Sequence, residues 1–118
     1  MTFEYTQYII INSDVKEIKK GKLVAQGAHA SIGAYRKAIK ESPEITDGWF
    51  DEGQRKITLK ASEAEILSLN EKIANNTHTY IVRDFGLTQI APDTLTAMAI
   101  GPDKIKNIEQ YVKDLKLL

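Results

Sequence analysis

The stretch Thr6–Asn12 (TQYIIIN) constrains the fold of this chain more than any other. Neighbouring residues of a strand point to opposite faces, so Ile9, Ile10 and Ile11 put apolar bulk on both sides at once. A strand with no polar side belongs in the middle of a sheet that is covered above and below. The next elements supply the cover. Ser13–Gly21 reads as a polar, Lys-rich loop, and Lys22 to about Lys40 as a long helix with Leu23, Ala30, Ile32, Ala34 and Ile39 available for packing. Ser42-Pro43 stops that helix, because the residue before a proline is pushed out of helical conformation.

Beyond it, Glu44–Gly53 reads as a short helical turn over the sheet, carrying Trp49 and Phe50. Lys56–Lys60 alternates polar and apolar as a half-buried strand does. Ser62 with Glu63 and Glu65 marks a helix start, and Ile66, Leu67, Leu69 and Ile73 give that helix an inner face. Thr79–Arg83 and Leu95–Ile100 are predicted as strands three and four, and Asp103 as the cap of a last helix toward Tyr111. The order β-α-β-α-β-β-α predicts an α/β fold: three layers, α/β/α, around a four-stranded mixed sheet. The first two strands should be parallel and the last two antiparallel. At 118 residues this is one domain, spanning 1–118.

Chemistry concentrates first at Lys20–Ala30 (KGKLVAQGAHA). Lys22, Gln26 and His29 stand at i, i+4 and i+7, in one line along a helix, beside the small residues Gly27, Ala28, Ala30 and Ser31. A cation one turn from a neutral amide, with room beside them, fits an anionic or ester-bearing ligand. The plain alternatives are a solvated lysine and an ordinary surface glutamine. His29, flanked by alanines, is read as a structural residue, with a general base as the alternative. Asp84 ends the third strand and opens a long connection, where site residues of open α/β sheets gather. Thr88 and Thr96 add hydroxyls, although β-propensity alone accounts for threonines there.

The chain lacks cysteine, and neither of its two histidines has a partner at ligand spacing, so neither thiolate chemistry nor a zinc site is expected. No serine nucleophile motif or phosphate-cradling loop is present, and no cofactor is implied. An enzyme built on these residues uses water as its nucleophile. No apolar run has the length of a membrane span, and a cytoplasmic protein is expected. The net charge is zero but unevenly spread. Residues 14–40 carry Lys16, Lys19, Lys20, Lys22, Arg36, Lys37 and Lys40 against Asp14 and Glu17, and 41–52 carry only acids. That asymmetry allows one basic face for phosphates; a solvated helix followed by an acidic loop is the alternative.

The segments KGKLVAQGAHA, GQRKITLK (53–60), RDFGLTQIAPDTLTAMAIGP (83–102) and the final LKLL, in this order, resemble the archaeal and eukaryotic type of peptidyl-tRNA hydrolase. The resemblance runs from about Tyr8 to Leu118. It implies hydrolysis of the ester between peptide and tRNA, with Lys22, Asp84, Thr88 and Thr96 as catalytic residues and Gln26 positioning the substrate. The peptidyl-tRNA acceptor end would meet Lys16, Lys19, Lys20, Arg36 and Lys37. The resemblance also implies a homodimer. The rival reading is a non-catalytic RNA- or protein-binding module on the same fold. Departures from the family pattern are Phe85 where a small residue is usual, Asp93 and Lys19 where glycine is usual, and Val112-Lys113 in place of Thr-Gly.

Overall fold

A computed structural model describes residues 2–86 and 91–118. In chain order the elements are β1 (Tyr5–Asn12), α1 (Lys20–Glu41), α2 (Pro43–Asp51), β2 (Lys56–Ala61), α3 (Glu63–Ile73), β3 (Thr79–Arg83), β4 (Leu95–Lys104), α4 (Ile105–Val112) and β5 (Lys116–Leu117). Among the described residues they form an α/β fold with one mixed sheet in the order β3-β4-β1-β2-β5. The isoleucine strand is central, as its composition demands. It runs parallel to β2, with Ile10 opposite Leu59, and antiparallel to β4, with Ile10 opposite Met98. β3 and β4 pair antiparallel, with Ile81 opposite Met98.

The sheet has five strands where four were expected. β5 pairs Leu117 with Leu59 at the free edge of β2. Two residues are too few to show a period, so the LKLL segment carries no strand signal of its own. The expected helical turn after Ser42 is the nine-residue helix α2, because Pro43 occupies its first turn, where a missing N–H costs nothing. β4 continues past Ile100 through Gly101 and Pro102 to Lys104, and α4 starts one residue later. Asp103 lies in the strand instead of capping α4; its carboxylate accepts from Thr77 Oγ1 (2.6 Å) and Asn107 Nδ2 (3.1 Å). The start signal for α3 is present in full: Ser62 Oγ accepts from Glu65 N while Glu65 reaches back to Ser62 N.

Alternation along β1 separates two cores. Tyr8 and Ile10 join Leu59, Ile66, Ile73, Met98 and Ile108 beneath α3 and α4. Ile9 and Ile11 join Ala30, Ala34, Val82, Ala97 and Ala99 beneath α1. The packing stripe of α1 differs from the one expected. Its buried residues are Gln26, Ala30, Ala34 and Ala38, at every fourth position, whereas Ile32 and Ile39 are exposed. Small side chains facing alanines on β4 bring α1 close to the sheet, and the larger apolar residues turn outward. The buried Gln7 pins the helix in place: its Nε2 donates to Ser31 O (3.0 Å) and Gly101 O (3.2 Å), and its Oε1 accepts from Ser31 Oγ.

Candidate active site

Between α1 and the edge strand β3 runs a groove of about 690 Å³. One wall is the α1 line Lys22, Gln26, His29, Gly33, Arg36, Lys37 and Lys40, and the other is Tyr80, Val82, Arg83, Asp84 and Phe85. At its head Lys22 Nζ meets Asp84 Oδ1 at 2.8 Å, with both side chains largely shielded from water. Asp84 stands where β3 ends, and backbone bonds fix it there: its N–H donates to Thr94 O and its carbonyl accepts from Asp93 N. The second carboxylate oxygen accepts from Gly86 N at 2.9 Å. The hydrogen bond from Lys22 holds the Asp84 carboxyl below its ordinary value; burial opposes this, and the Gly86 amide and the nearby His29 reinforce it. The carboxylate is therefore charged throughout the physiological range.

One turn along α1, Gln26 is buried in line with the alanine stripe. Thr96, fully buried on β4, donates its hydroxyl to Gln26 Oε1 at 2.5 Å. An amide held by its carbonyl end presents Nε2, a pure donor, on the other side. Thr96 thus acts on Gln26. Among the described residues the hydrogen bonds to the Asp84 carboxylate come from Lys22 and Gly86, not from Thr96. Thr88 lies outside the described residues.

His29 is not the packed residue its alanine neighbours led one to expect. It is exposed and lines the groove. Ala30 follows the buried stripe, and one residue back around the helix turns His29 out beside it.

The peptidyl-tRNA hydrolase PTH2 family matches residues 5–118. The chain belongs to this family. Similar relatives include the peptidyl-tRNA hydrolase of Methanococcus maripaludis strain C7, 44% identical over 97% of this chain and 99% of the relative. Those of Thermococcus sibiricus (42%, covering 98% and 99%) and Methanocaldococcus jannaschii (42%, covering 93% and 96%) are comparable. A solved structure of an Agrobacterium protein of unknown function covers 99% of both chains at a TM-score of 0.56 and 12% identity, a likeness of fold alone.

Two departures from the family pattern have a local account. Asp93 adopts φ 61°, the left-handed region where glycine is at ease and aspartate is among the tolerated residues. It makes a turn there, closing onto Asp84 O and accepting from Arg83 Nη1 at 3.0 Å. Lys19 has φ −78°, which any residue adopts, so the position does not require glycine.

The five cations expected to meet tRNA separate into two groups. Arg36 and Lys37 line the groove, whereas Lys16, Lys19 and Lys20 are exposed on the approach to α1 and at its start, outside the groove lining. Lys37 is committed: its Nζ donates to Thr79 O at 2.8 Å and lies 5.5 Å from the centre of the Tyr80 ring. Tyr80 and Arg83 line the groove without having been expected there, and Lys40 was expected only as part of the basic stretch 14–40. Strand parity offers the signal for Tyr80, since residues 80, 82 and 84 share a face. Among the described residues no group of His, Cys, Asp or Glu is placed to hold a metal, and no helix is long and apolar enough to cross a membrane.

Proposed function

We propose that this chain hydrolyses peptidyl-tRNA with water as nucleophile, Lys22 and Asp84 being the central pair. The 2.8 Å contact between them at the head of the groove carries this reading. The acyl ester of a tRNA 3′ hydroxyl is intrinsically labile, so positioning, one cation and one carboxylate suffice. Lys22 stabilises negative charge as it develops on the scissile carbonyl oxygen. Asp84, held below its ordinary pKa, is a weak base and serves best by orienting Lys22 and the attacking water. Gln26 directs Nε2 at the ester, and Thr96 is a positioning residue acting through Gln26. Thr88 is proposed to complete the set on the strength of the family pattern. The water oxygen bonds to the acyl carbon, the bond to the ribose oxygen breaks, and that oxygen leaves protonated.

The substrate's phosphates would meet Arg36 in the groove and Lys16, Lys19 and Lys20 on the approach to α1 and at its start, giving salt-dependent binding with little base preference. The scaffold we read as three layers, α/β/α, supported by two cores on opposite sides of β1. The family resemblance supports a homodimer and a cytoplasmic location; sedimentation tests the first. Release of labelled peptide from peptidyl-tRNA tests the central claim. Asp84→Asn should lower turnover by roughly 10²–10⁴-fold with binding little changed. Full activity in Asp84→Asn beside a folded but inactive His29→Ala would move the chemistry to the imidazole. A chain that binds the substrate and releases nothing is the non-catalytic module instead.

A further inference from the structure

We infer that the α1–β3 groove holds the single-stranded 3′ end of the tRNA, and that Phe85 is the platform on which its terminal base stacks. The inference rests on the proposed hydrolysis and adds a specificity-determining residue to it. Chemistry fixes the distances. The ester sits on the same sugar that carries the terminal base, so a scissile carbonyl held at Lys22 and Asp84 leaves that base one sugar ring away. Phe85 is the residue directly after Asp84 and lines the same groove. It is 84% exposed, the most exposed large apolar side chain among the described residues. Scattered exposed apolar residues are ordinary. What distinguishes this one is its place directly after Asp84, in a groove that Lys22 and further cations also line.

Among the described residues Arg36, Lys40 and Arg83 line the groove as well, with Glu41 the only acid there besides Asp84. Tyr80 supplies a second ring, seated in the notch at Gly33, half exposed and braced by Lys37. Cations along a track with rings at intervals are the equipment of single-strand binding, where phosphates take the charges and bases take the rings. A peptide laid along β3 is the competing occupant. It would find apolar and edge-strand contacts there but no use for three cations.

The test reads binding directly, by fluorescence anisotropy with the full chain, for deacylated tRNA and the same tRNA lacking its 3′-terminal nucleotide. The unsubstituted protein should prefer the intact end by roughly 5- to 150-fold, the range for one base stacked on an aromatic ring. Phe85→Leu should bring the ratio close to one, and Phe85→Trp should preserve it. At 84% exposure neither change disturbs the core, which thermal melts verify. Arg36→Gln should flatten the log–log salt dependence by about 0.7, one single-strand phosphate. A ratio kept by Phe85→Leu, a ratio of one in the unsubstituted chain, or an unchanged salt slope overturns the inference. So does a Phe85→Leu effect on the Michaelis constant that follows the identity of the peptide. Binding is read without turnover, so a chain that shows the ratio but releases no peptide overturns the hydrolase reading alone.

Discussion

Gly33→Ala sets two effects of opposite sign against each other, and the structure decides between them. In the interior of α1, alanine is better than glycine by about 1 kcal/mol, because glycine loses more backbone freedom on folding. The added methyl, however, falls 2.3 Å from Tyr80 Cδ2, 2.4 Å from Cγ and 2.6 Å from Cε2. Ordinary carbon contacts lie near 3.5–4.0 Å, so the overlap exceeds roughly 1 Å. Cγ anchors the ring, so no small rotation relieves the clash; the whole side chain must leave, and its contact with Lys37 goes with it. Overpacking of this kind costs about 1–3 kcal/mol and an exposed cation–ring contact about 0.5–1 kcal/mol. The net expectation is a loss of about 0.5–3 kcal/mol, visible as a lower urea midpoint at constant slope. With Tyr80→Ala already in place the clash is gone, and Gly33→Ala should stabilise by up to about 1 kcal/mol. The sign must reverse between the two backgrounds. A stabilising Gly33→Ala in the chain that keeps Tyr80 would refute the close packing of α1 on β3.

Three further outcomes follow from single contacts. Asp84 has its pKa lowered below the ordinary 3.8, so the stability it lends is complete above that value and is lost only as pH falls through the lower, folded pKa. The acid limb of kcat/KM should accordingly lie below the usual carboxylate range, and a limb at or above that range would refute the assignment to Asp84. Thr96→Val leaves Gln26 Oε1 buried without its donor and should cost about 1–3 kcal/mol in chemical denaturation, whereas Thr96→Ser should recover most of it. If Thr96→Val costs as much in a Gln26→Ala background, the two side chains are not coupled. Ser62→Ala removes one half of the reciprocal cap on α3 and should lower stability by about 1 kcal/mol with peptide release unaffected.

What could be read in advance was whatever depends on local spacing or on an unmistakable run. Ile9–Ile11 places β1 in the middle, the helical crossover makes β1 and β2 parallel, and Ser62 with Glu65 marks the start of α3. Lys22 and Asp84 were matched by residue type, and the fold brings them into contact from distant parts of the chain. What escaped depends on contacts between elements. The helix phase of α1 is set by how closely alanine stripes let it approach β4, and this turns Ile32 and His29 outward against expectation. Gly48 lies within reach of the Tyr5 ring, so a side chain there would collide, but the sequence around it shows only a short stretch with a glycine inside. β5 exists because β2 offers an edge. No property of Lys116 and Leu117 announces it.

The contact between Lys37 and Thr79 O bears on more than the groove. β3 is a boundary strand, and such strands carry a row of unmet peptide groups that a stranger's strand can recruit. A lysine from α1 occupies one of those carbonyls and keeps its charge over the adjacent ring. At the opposite boundary β5 closes the row with only two residues. The side proposed for substrate is therefore left open, while one carbonyl that another copy's strand would need is already taken. A flexible, negatively charged strand can enter where a stiff, uncharged one finds its first hydrogen bond already taken.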